Sequence, residues 1–113
     1  MFMKHGIVAG VALAVSLATP AMAKVEGDTI ILGSSISLTG KYATNGLHTQ
    51  RGYDYAVKVI NEAGGVKVGG KSYKLAVKYY DDESTPARGA QLAERLIQQD
   101  GVEYMLGPYS SGM

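Results

Sequence analysis

The sequence predicts an α/β fold in which strands and helices alternate around a parallel sheet. Three segments have the composition of strands, and the two segments between them have helical periodicity. Alternation of this kind is typical of parallel sheets with right-handed crossovers. If the third strand pairs with the first, the strand order is 2-1-3, the two helices cover opposite faces, and a crevice opens between the carboxyl ends of strands one and three.

The amino-terminal segment predicts an export signal, residues 1–23. Lys4 precedes an apolar run from Gly6 to Ala18, Pro20 breaks that run, and "AMA" at residues 21–23 fits small-x-small cleavage. The run is shorter than the about 20 apolar residues that span a bilayer; the alternative is an uncleaved anchor. The chain has no cysteine, which excludes disulfides and a lipid-modified cysteine. The predicted mature part, residues 24–113, is exported to the periplasm.

The charge of the mature part excludes one class of partner. Removal of Lys4 leaves the basic and acidic side chains evenly balanced over residues 24–113. A nucleic-acid-binding surface needs clustered positive charge. The sequence therefore predicts no nucleic-acid partner.

The first predicted strand, Asp28–Ser37, begins with a nearly continuous apolar run, which is typical of a strand buried on both faces. A loop follows over Ser37–Gly46, and a helix is predicted over Leu47–Ala63 with Asn45 as its N-cap. Gly64 and Gly65 are expected to end this helix. Its apolar stripe has helical spacing and consists of Tyr53, Ala56, Val57, Ile60 and Ala63.

The second predicted strand lies in Val66–Asp82, after a tight turn at Gly69 and Gly70. The larger apolar side chains alternate with the other residues of this stretch: Leu75, Val77 and Tyr79 alternate with Lys74, Ala76, Lys78 and Tyr80. Such period-two alternation indicates a strand with one less buried face, as at a sheet edge.

The second predicted helix starts at Thr85, a capping residue, followed by Pro86 in the first helical position. Gly101 ends it, and Glu103–Leu106 form the third predicted strand. The buried stripe of this helix is predicted to be Ala90, Ala93, Leu96 and Ile97.

The predicted crevice brings together the loop Ser37–Gly46 and the segment Gly107–Met113. A helix beginning near Gly112 would offer free backbone N–H groups to a carboxylate; the alternative is an ordinary strand-to-helix turn with a serine cap. The two segments supply hydroxyls and phenols at Ser37, Thr39, Tyr42, Thr44, Tyr109, Ser110 and Ser111.

Other chemistry is weakly supported. A serine nucleophile would need a G-x-S-x-G elbow, which "GPYSSG" does not supply. His48 is the one histidine of the mature part, and it could act as the base only if the fold brought it to the serines. "DDE" at residues 81–83 lacks the ligand spacing of a calcium loop, so we expect these acids to complement the dipole of the following helix. "GGKS" at residues 69–72 lies between two strands and is no phosphate loop. The sequence predicts no metal and no cofactor.

Four segments in order resemble the leucine/isoleucine/valine-binding family of periplasmic binding proteins: "SLTGKYATNG", "INEAGGV", "YDDESTPARGAQLAERLI" and "GPYSSG". The resemblance covers Thr29–Met113. It implies a periplasmic-binding-protein type I fold, in which ligand is trapped between two hinged lobes. The chain matches the start of the first lobe, so we expect a truncated gene or a partial reading frame.

The resemblance implies the substrate-binding component of an ABC transporter, with an inner-membrane permease as partner and no enzymatic activity. The ligand would be an amino acid of branched-chain type or a similar small carboxylate. Ser111 matches the family serine that binds the ligand carboxylate, Ser110 is its neighbour, and Tyr109 matches a position that touches the ligand side chain. Family members often have an aromatic residue near the end of the first loop. This sequence has Asn45 at the matching position and Tyr42 three residues earlier. Because of this departure, the resemblance does not identify the ligand.

Three alternatives remain at the sequence level. One is the ligand-sensing ectodomain of a signalling receptor, which shares the fold. Another is a receptor for aromatic carboxylates or small amides. The third is a serine hydrolase.

Overall fold

The computed structural model describes residues 23–113, so the predicted signal peptide lies outside the described residues except for Ala23. In this part, no helix has the length and apolar character needed to cross a membrane. Five strands form one sheet, accompanied by two helices. The elements in chain order are β1 (Val25–Glu26), β2 (Thr29–Ile36), α1 (Ala43–Glu62), β3 (Val66–Val68), β4 (Lys71–Asp81), α2 (Pro86–Gln98) and β5 (Met105–Leu106).

The sheet is built around β2, which is parallel to β4 along its whole length and parallel to β5 on its other edge. The three predicted strands are β2, β4 and β5, so the predicted order 2-1-3 is confirmed. Two antiparallel additions complete the sheet. β1 pairs with the start of β2, and β3 pairs with β4 around the predicted turn at Gly69 and Gly70. The short strand β1 was not predicted.

The two helices lie on opposite faces of the sheet. Consecutive side chains of a strand point to opposite faces, and Tyr79 and Tyr80 of β4 reach different helices. The Tyr79 hydroxyl donates to Asp54 Oδ1 in α1 at 2.7 Å. The Tyr80 ring lies under the guanidinium of Arg95 in α2, with 4.9 Å from the Arg95 Cζ to the ring centroid.

Apolar burial is concentrated on β2, on α2 and on the segment that follows α2. Gly33 is needed for this packing, because a Cβ there would lie 2.8 Å from Val102 Cγ1 and 2.9 Å from Met105 Sδ. Leu96 is fully buried as predicted, but Ile97 is 53% exposed and the buried Leu92 was missed. Among the described residues, the buried apolar side chains are Ile30, Ile36, Leu92, Leu96 and Val102.

The start of α1 corrects the sequence prediction. The helix begins at Ala43 rather than Leu47, the N-cap position is Tyr42, and Asn45 lies inside the first turn. The Ala43 N–H donates to the carbonyl oxygen of Gly40 at 3.1 Å, and the Tyr42 N–H donates to Ser84 Oγ at 3.0 Å. The helix start is therefore set by a contact from a distant segment, not by a local side-chain cap.

The other boundaries agree more closely with prediction. Gly64 and Gly65 follow α1 with φ of 107° and 79°, as expected for residues that end a helix. Pro86 takes the first position of α2 after an extended Thr85. β5 covers Met105–Leu106 only, shorter than the predicted Glu103–Leu106.

Candidate functional site

The candidate site lies at the edge of the sheet where β2 and β5 end. These strands are parallel neighbours, so the loop after β2 and the segment after β5 leave the sheet on the same side. The Tyr53 hydroxyl of α1 donates to the carbonyl oxygen of Gly107 at 3.0 Å and ties the second segment to the helix that follows the first loop. The two segments that border the predicted crevice, the loop after β2 and the segment after β5, are therefore held close together through α1.

Three of the five predicted ligand-binding residues come together in this crevice. The rings of Tyr42 and Tyr109 have their centroids 6.1 Å apart and are tilted by 55°. The Asn45 side-chain amide donates from Nδ2 to the Tyr109 hydroxyl at 2.9 Å. Because α1 begins earlier than predicted, Asn45 sits on its first turn, where it reaches across to the segment after β5.

The two predicted serines occupy a tight turn at residues 110–113. Ser110 Oγ accepts the N–H of Gly112 at 3.1 Å, and the Ser110 carbonyl oxygen accepts the N–H of Met113 at 3.1 Å. Ser111 is exposed, and its hydroxyl makes no hydrogen bond to any residue that the structure describes. Ser110 thus holds the turn, while the Ser111 hydroxyl stays available.

Two other predicted hydroxyls do not line the crevice. Ser37 Oγ donates to Asp82 Oδ1 at 2.7 Å, and Thr39 Oγ1 donates to Asp81 Oδ2 at 2.7 Å. Both serve the loop's own structure. These bonds also correct the expectation for "DDE": Asp81 and Asp82 bind the loop after β2 instead of mainly complementing the dipole of α2.

Asp81 gathers the backbone of that loop. Its Oδ1 accepts the N–H groups of Leu38 at 2.9 Å, Thr39 at 3.2 Å and Glu83 at 2.9 Å. Burial acts to raise the pKa of the Asp81 carboxyl, but the Thr39 hydroxyl and these three N–H groups outweigh it and hold the pKa below its usual value. The carboxylate is therefore ionised at neutral pH and acts as the loop's main acceptor.

Ser84 fixes the other half of the loop. Its hydroxyl donates to the Thr39 carbonyl oxygen at 2.7 Å and accepts the Tyr42 N–H at 3.0 Å. Gly40, with φ of 84°, passes so close that a Cβ would lie 2.8 Å from Ser84 Oγ. The segment Asp81–Ser84 thus holds the backbone that places Tyr42 and was not recognised from sequence, because its partners lie far away along the chain.

Asp82 is fully buried at the base of this arrangement. Its Oδ1 accepts a hydrogen bond from the Ser37 hydroxyl at 2.7 Å and another from the Ser84 N–H at 2.8 Å. Its Oδ2 has no partner among residues 23–113. A cavity of about 230 Å³ lies beside it, on the α2 face, and is lined in part by Ser35, Gly89 and Met113.

The structure gives no support to metal or nucleophile chemistry in the part it describes. No group of three or more His, Cys, Asp or Glu side chains there is placed to hold a metal ion. His48 is an exposed residue of α1.

Comparison with known proteins identifies relatives over most of the chain. A family model described as "Periplasmic binding protein" matches residues 29–113. The Leu/Ile/Val-binding protein homolog 1 of Brucella abortus (strain 2308) is 32% identical over 111 residues, which cover 98% of this chain and 28% of the relative. The Leu/Ile/Val-binding protein BraC3 of Rhizobium johnstonii is 30% identical over 86% of this chain and 25% of its own length.

Comparison with solved structures finds proteins of the same family. The branched-chain amino acid transporter substrate-binding protein LivJ of Streptococcus pneumoniae, in complex with isoleucine, matches 74% of this chain and 23% of its own chain, with a TM-score of 0.65 and 34% identity. A periplasmic binding protein type 1 of Bordetella pertussis matches 75% of this chain and 22% of its own, with a TM-score of 0.62 and 32% identity. The chain spans about a quarter of the length of these proteins, and its fold is that of the type I lobe. By sequence and by fold, the chain belongs to the periplasmic binding proteins, a family of solute receptors that are not enzymes.

Proposed function

We propose that the chain forms part of the substrate-binding component of an ABC transporter, which binds an amino acid of branched-chain type or a similar small carboxylate in the periplasm. The observation that carries the proposal is the meeting of Tyr42 and Asn45 with Tyr109 where β2 and β5 end. The family resemblance assigns the Tyr109 position to the ligand side chain, and Asn45 stands where family members often have an aromatic residue. The LivJ structure with isoleucine supports this class of ligand.

Each side chain has a distinct role in this proposal. The Ser111 hydroxyl donates to the ligand carboxylate, and Ser110 holds the turn that presents it. The ligand side chain lies against the tilted rings of Tyr42 and Tyr109. Because the chain spans 28% of its relative, a second lobe would supply the remaining contacts. Hinge closure around the ligand and delivery to an inner-membrane permease then follow as in the family.

A serine pair tests the carboxylate contact. A hydrogen bond to a charged group is worth about 1.5–3 kcal/mol, so Ser111→Ala should weaken binding by roughly 10- to 150-fold. The measurement is calorimetric titration with leucine and with benzoate, on the protein expressed from its complete gene.

Ser110→Ala is the matched control. It removes a neighbouring hydroxyl that accepts the Gly112 N–H, so binding should weaken less. The melting temperature without ligand should barely change for Ser111→Ala, because Ser111 is exposed. Unchanged affinity combined with a lower melting temperature would make Ser111 a structural residue and remove it from the site.

Export is the second testable part of the proposal. The "AMA" motif at residues 21–23 and the short apolar run before it place signal-peptidase cleavage after Ala23. Mass spectrometry of the exported protein should find Lys24 as the first residue. Retention of Met1 would favour a membrane anchor instead.

A further inference from the structure

The Asn45–Tyr109 contact is a polar feature in the proposed ligand side-chain region. The bond from Asn45 Nδ2 to the Tyr109 oxygen measures 2.9 Å. It uses one of the two amide N–H groups and one acceptor position of the phenol. The Asn45 Oδ1 acceptor, the second amide N–H and the Tyr109 O–H donor are left over. None of these three has another partner within residues 23–113.

The fold holds both partners in place. Asn45 stands on the first turn of α1, where Thr49 Oγ1 donates to its carbonyl oxygen at 3.0 Å. The following residue, Gly46, is buried against the backbone of Ser37. Tyr109 packs against the ring of Tyr42, and its segment is tied to α1 through Gly107. The pair is therefore anchored from both strand ends.

A ligand that covers this pair must replace the water on its free donor and acceptor. An aliphatic ligand end cannot do so, and leaving a buried polar group without a partner costs about 1–3 kcal/mol. A ligand end with a hydroxyl or an amide satisfies the same groups. Sites that hydrogen-bond a substrate hydroxyl discriminate strongly against analogues without one, since the protein's polar groups are then left unpaired.

We propose that Asn45 and Tyr109 select a small carboxylate whose far end carries a hydroxyl or amide group, in preference to a purely aliphatic or unsubstituted aromatic one. The inference rests on the proposed function, because it assumes that the ligand is bound between the first loop and the segment after β5. It names the ligand class of that site.

Ligands matched in shape test this selection. Calorimetric titration of the protein expressed from its complete gene would compare threonine with valine, and 4-hydroxybenzoate with benzoate. In at least one pair, the hydroxylated member should bind about tenfold tighter or more, since tenfold corresponds to about 1.4 kcal/mol. Asn45→Leu should reduce that preference, and so should Tyr109→Phe, because each variant keeps the polar group of the other residue. The double variant should abolish it.

His48→Leu is the control variant, because it removes an exposed polar side chain one turn further along α1 without touching the pair. It should keep the wild-type preference. Equal affinities within both ligand pairs, in a protein that binds them, would overturn the inference and leave the proposed function standing. An undiminished preference in the double variant, Asn45→Leu with Tyr109→Phe, would also overturn it. Absence of binding to every carboxylate, including leucine and glutamine, would instead overturn the proposed function and the inference with it.

Discussion

At the scale of single residues, Gly46 is the tightest contact between α1 and the end of β2. A Cβ at this position would overlap the carbonyl oxygen of Ser37. That oxygen belongs to the backbone at the end of β2, so it cannot move aside as a flexible side chain would. The side-chain-free surface of Gly46 lets α1 begin directly against the strand end.

We expect Gly46→Ala to lower the free energy of unfolding by about 1–3 kcal/mol, the usual cost of overpacking. Urea denaturation of the protein expressed from its complete gene, followed by circular dichroism, measures it. Gly52→Ala is the matched control on the same helix, where a Cβ would meet nothing within 4 Å. It should stabilise by about 0.5–1 kcal/mol through helix propensity. Equal effects of the two substitutions would show that the close approach is not a packing constraint.

The predicted site residues illustrate how far residue-level reasoning reaches. The grouping of Tyr42 with Tyr109 follows from strand order, since both lie just beyond strands that prove to be neighbours. The hydrogen-bond partners of the Ser37 and Thr39 hydroxyls did not follow from strand order. Their hydroxyls are taken by Asp82 and Asp81, 45 and 42 residues away, and a hydrogen bond over that separation leaves no local pattern.

At the scale of elements, Asn61 joins α1 to β4 with two hydrogen bonds. Its Nδ2 donates to the Leu75 carbonyl oxygen at 2.9 Å, and its Oδ1 accepts the Leu75 N–H at 2.8 Å. Leu75 lies just past Tyr73, the last residue of β4 that pairs with β3. The amide therefore takes the place of a further strand at this edge of the sheet and protects it from pairing with other chains.

Asn61→Ala should destabilise the fold by about 1–3 kcal/mol, because it leaves both backbone groups of half-buried Leu75 without their partner. Chemical denaturation provides the value. The neighbouring Glu62→Ala removes only an exposed ion pair with Lys58 and should stay within about 0.5 kcal/mol of wild type. If Asn61→Ala proved as mild as Glu62→Ala, water would be replacing the amide and the bridge would not support the edge.

Element order and strand order were predictable because they rest on periodicity and on connection rules that hold along the chain. The start of α1 was not. Asn45 has the chemistry of an N-cap, yet Ser84 accepts the Tyr42 N–H and moves the helix start to Ala43. Tertiary contact overrides the local capping preference here. Helical spacing predicted the apolar stripe of α2, but it did not show which edge of that stripe faces the sheet. Ile97 is therefore exposed although the spacing predicted its burial.

At the scale of the whole molecule, few large apolar side chains are buried among residues 23–113. Several large side chains remain exposed, with Tyr55 at 68%, Tyr104 at 56%, Val68 at 53% and Ile97 at 53%. The second edge of β5 has no partner strand within residues 23–113. Small cores give marginal stability, and open strand edges promote association.

We therefore expect residues 24–113, expressed alone, to melt broadly or to aggregate before a cooperative transition. Differential scanning calorimetry with light scattering would follow both processes. A single sharp transition in a monomeric sample, with calorimetric and van't Hoff enthalpies equal, is the opposite result. It would show that these residues form an independently stable unit.

The fold of residues 23–113 was predictable from two independent sources, helical and strand periodicity on one side and the four motif segments on the other. Periodicity predicted the parallel sheet and its strand order, and the resemblance implied the type I lobe, which the solved relatives share. The identity of the ligand was not predictable in the same way. In the proposed site, it rests on side-chain pairs such as Asn45 with Tyr109, whose contact exists only after α1 and β5 have been placed.

The dependence of the first loop on Asp81, Asp82 and Ser84 has a genetic counterpart. Under the proposed function, a selection for cells that fail to take up the solute should recover substitutions at these three positions alongside those that alter ligand contacts, because they release the backbone that carries Tyr42. The hydrogen bonds that join these positions to the loop connect residues 42 to 45 positions apart along the chain. A map of loss-of-uptake alleles would thus outline a region larger than the surface that any solute touches.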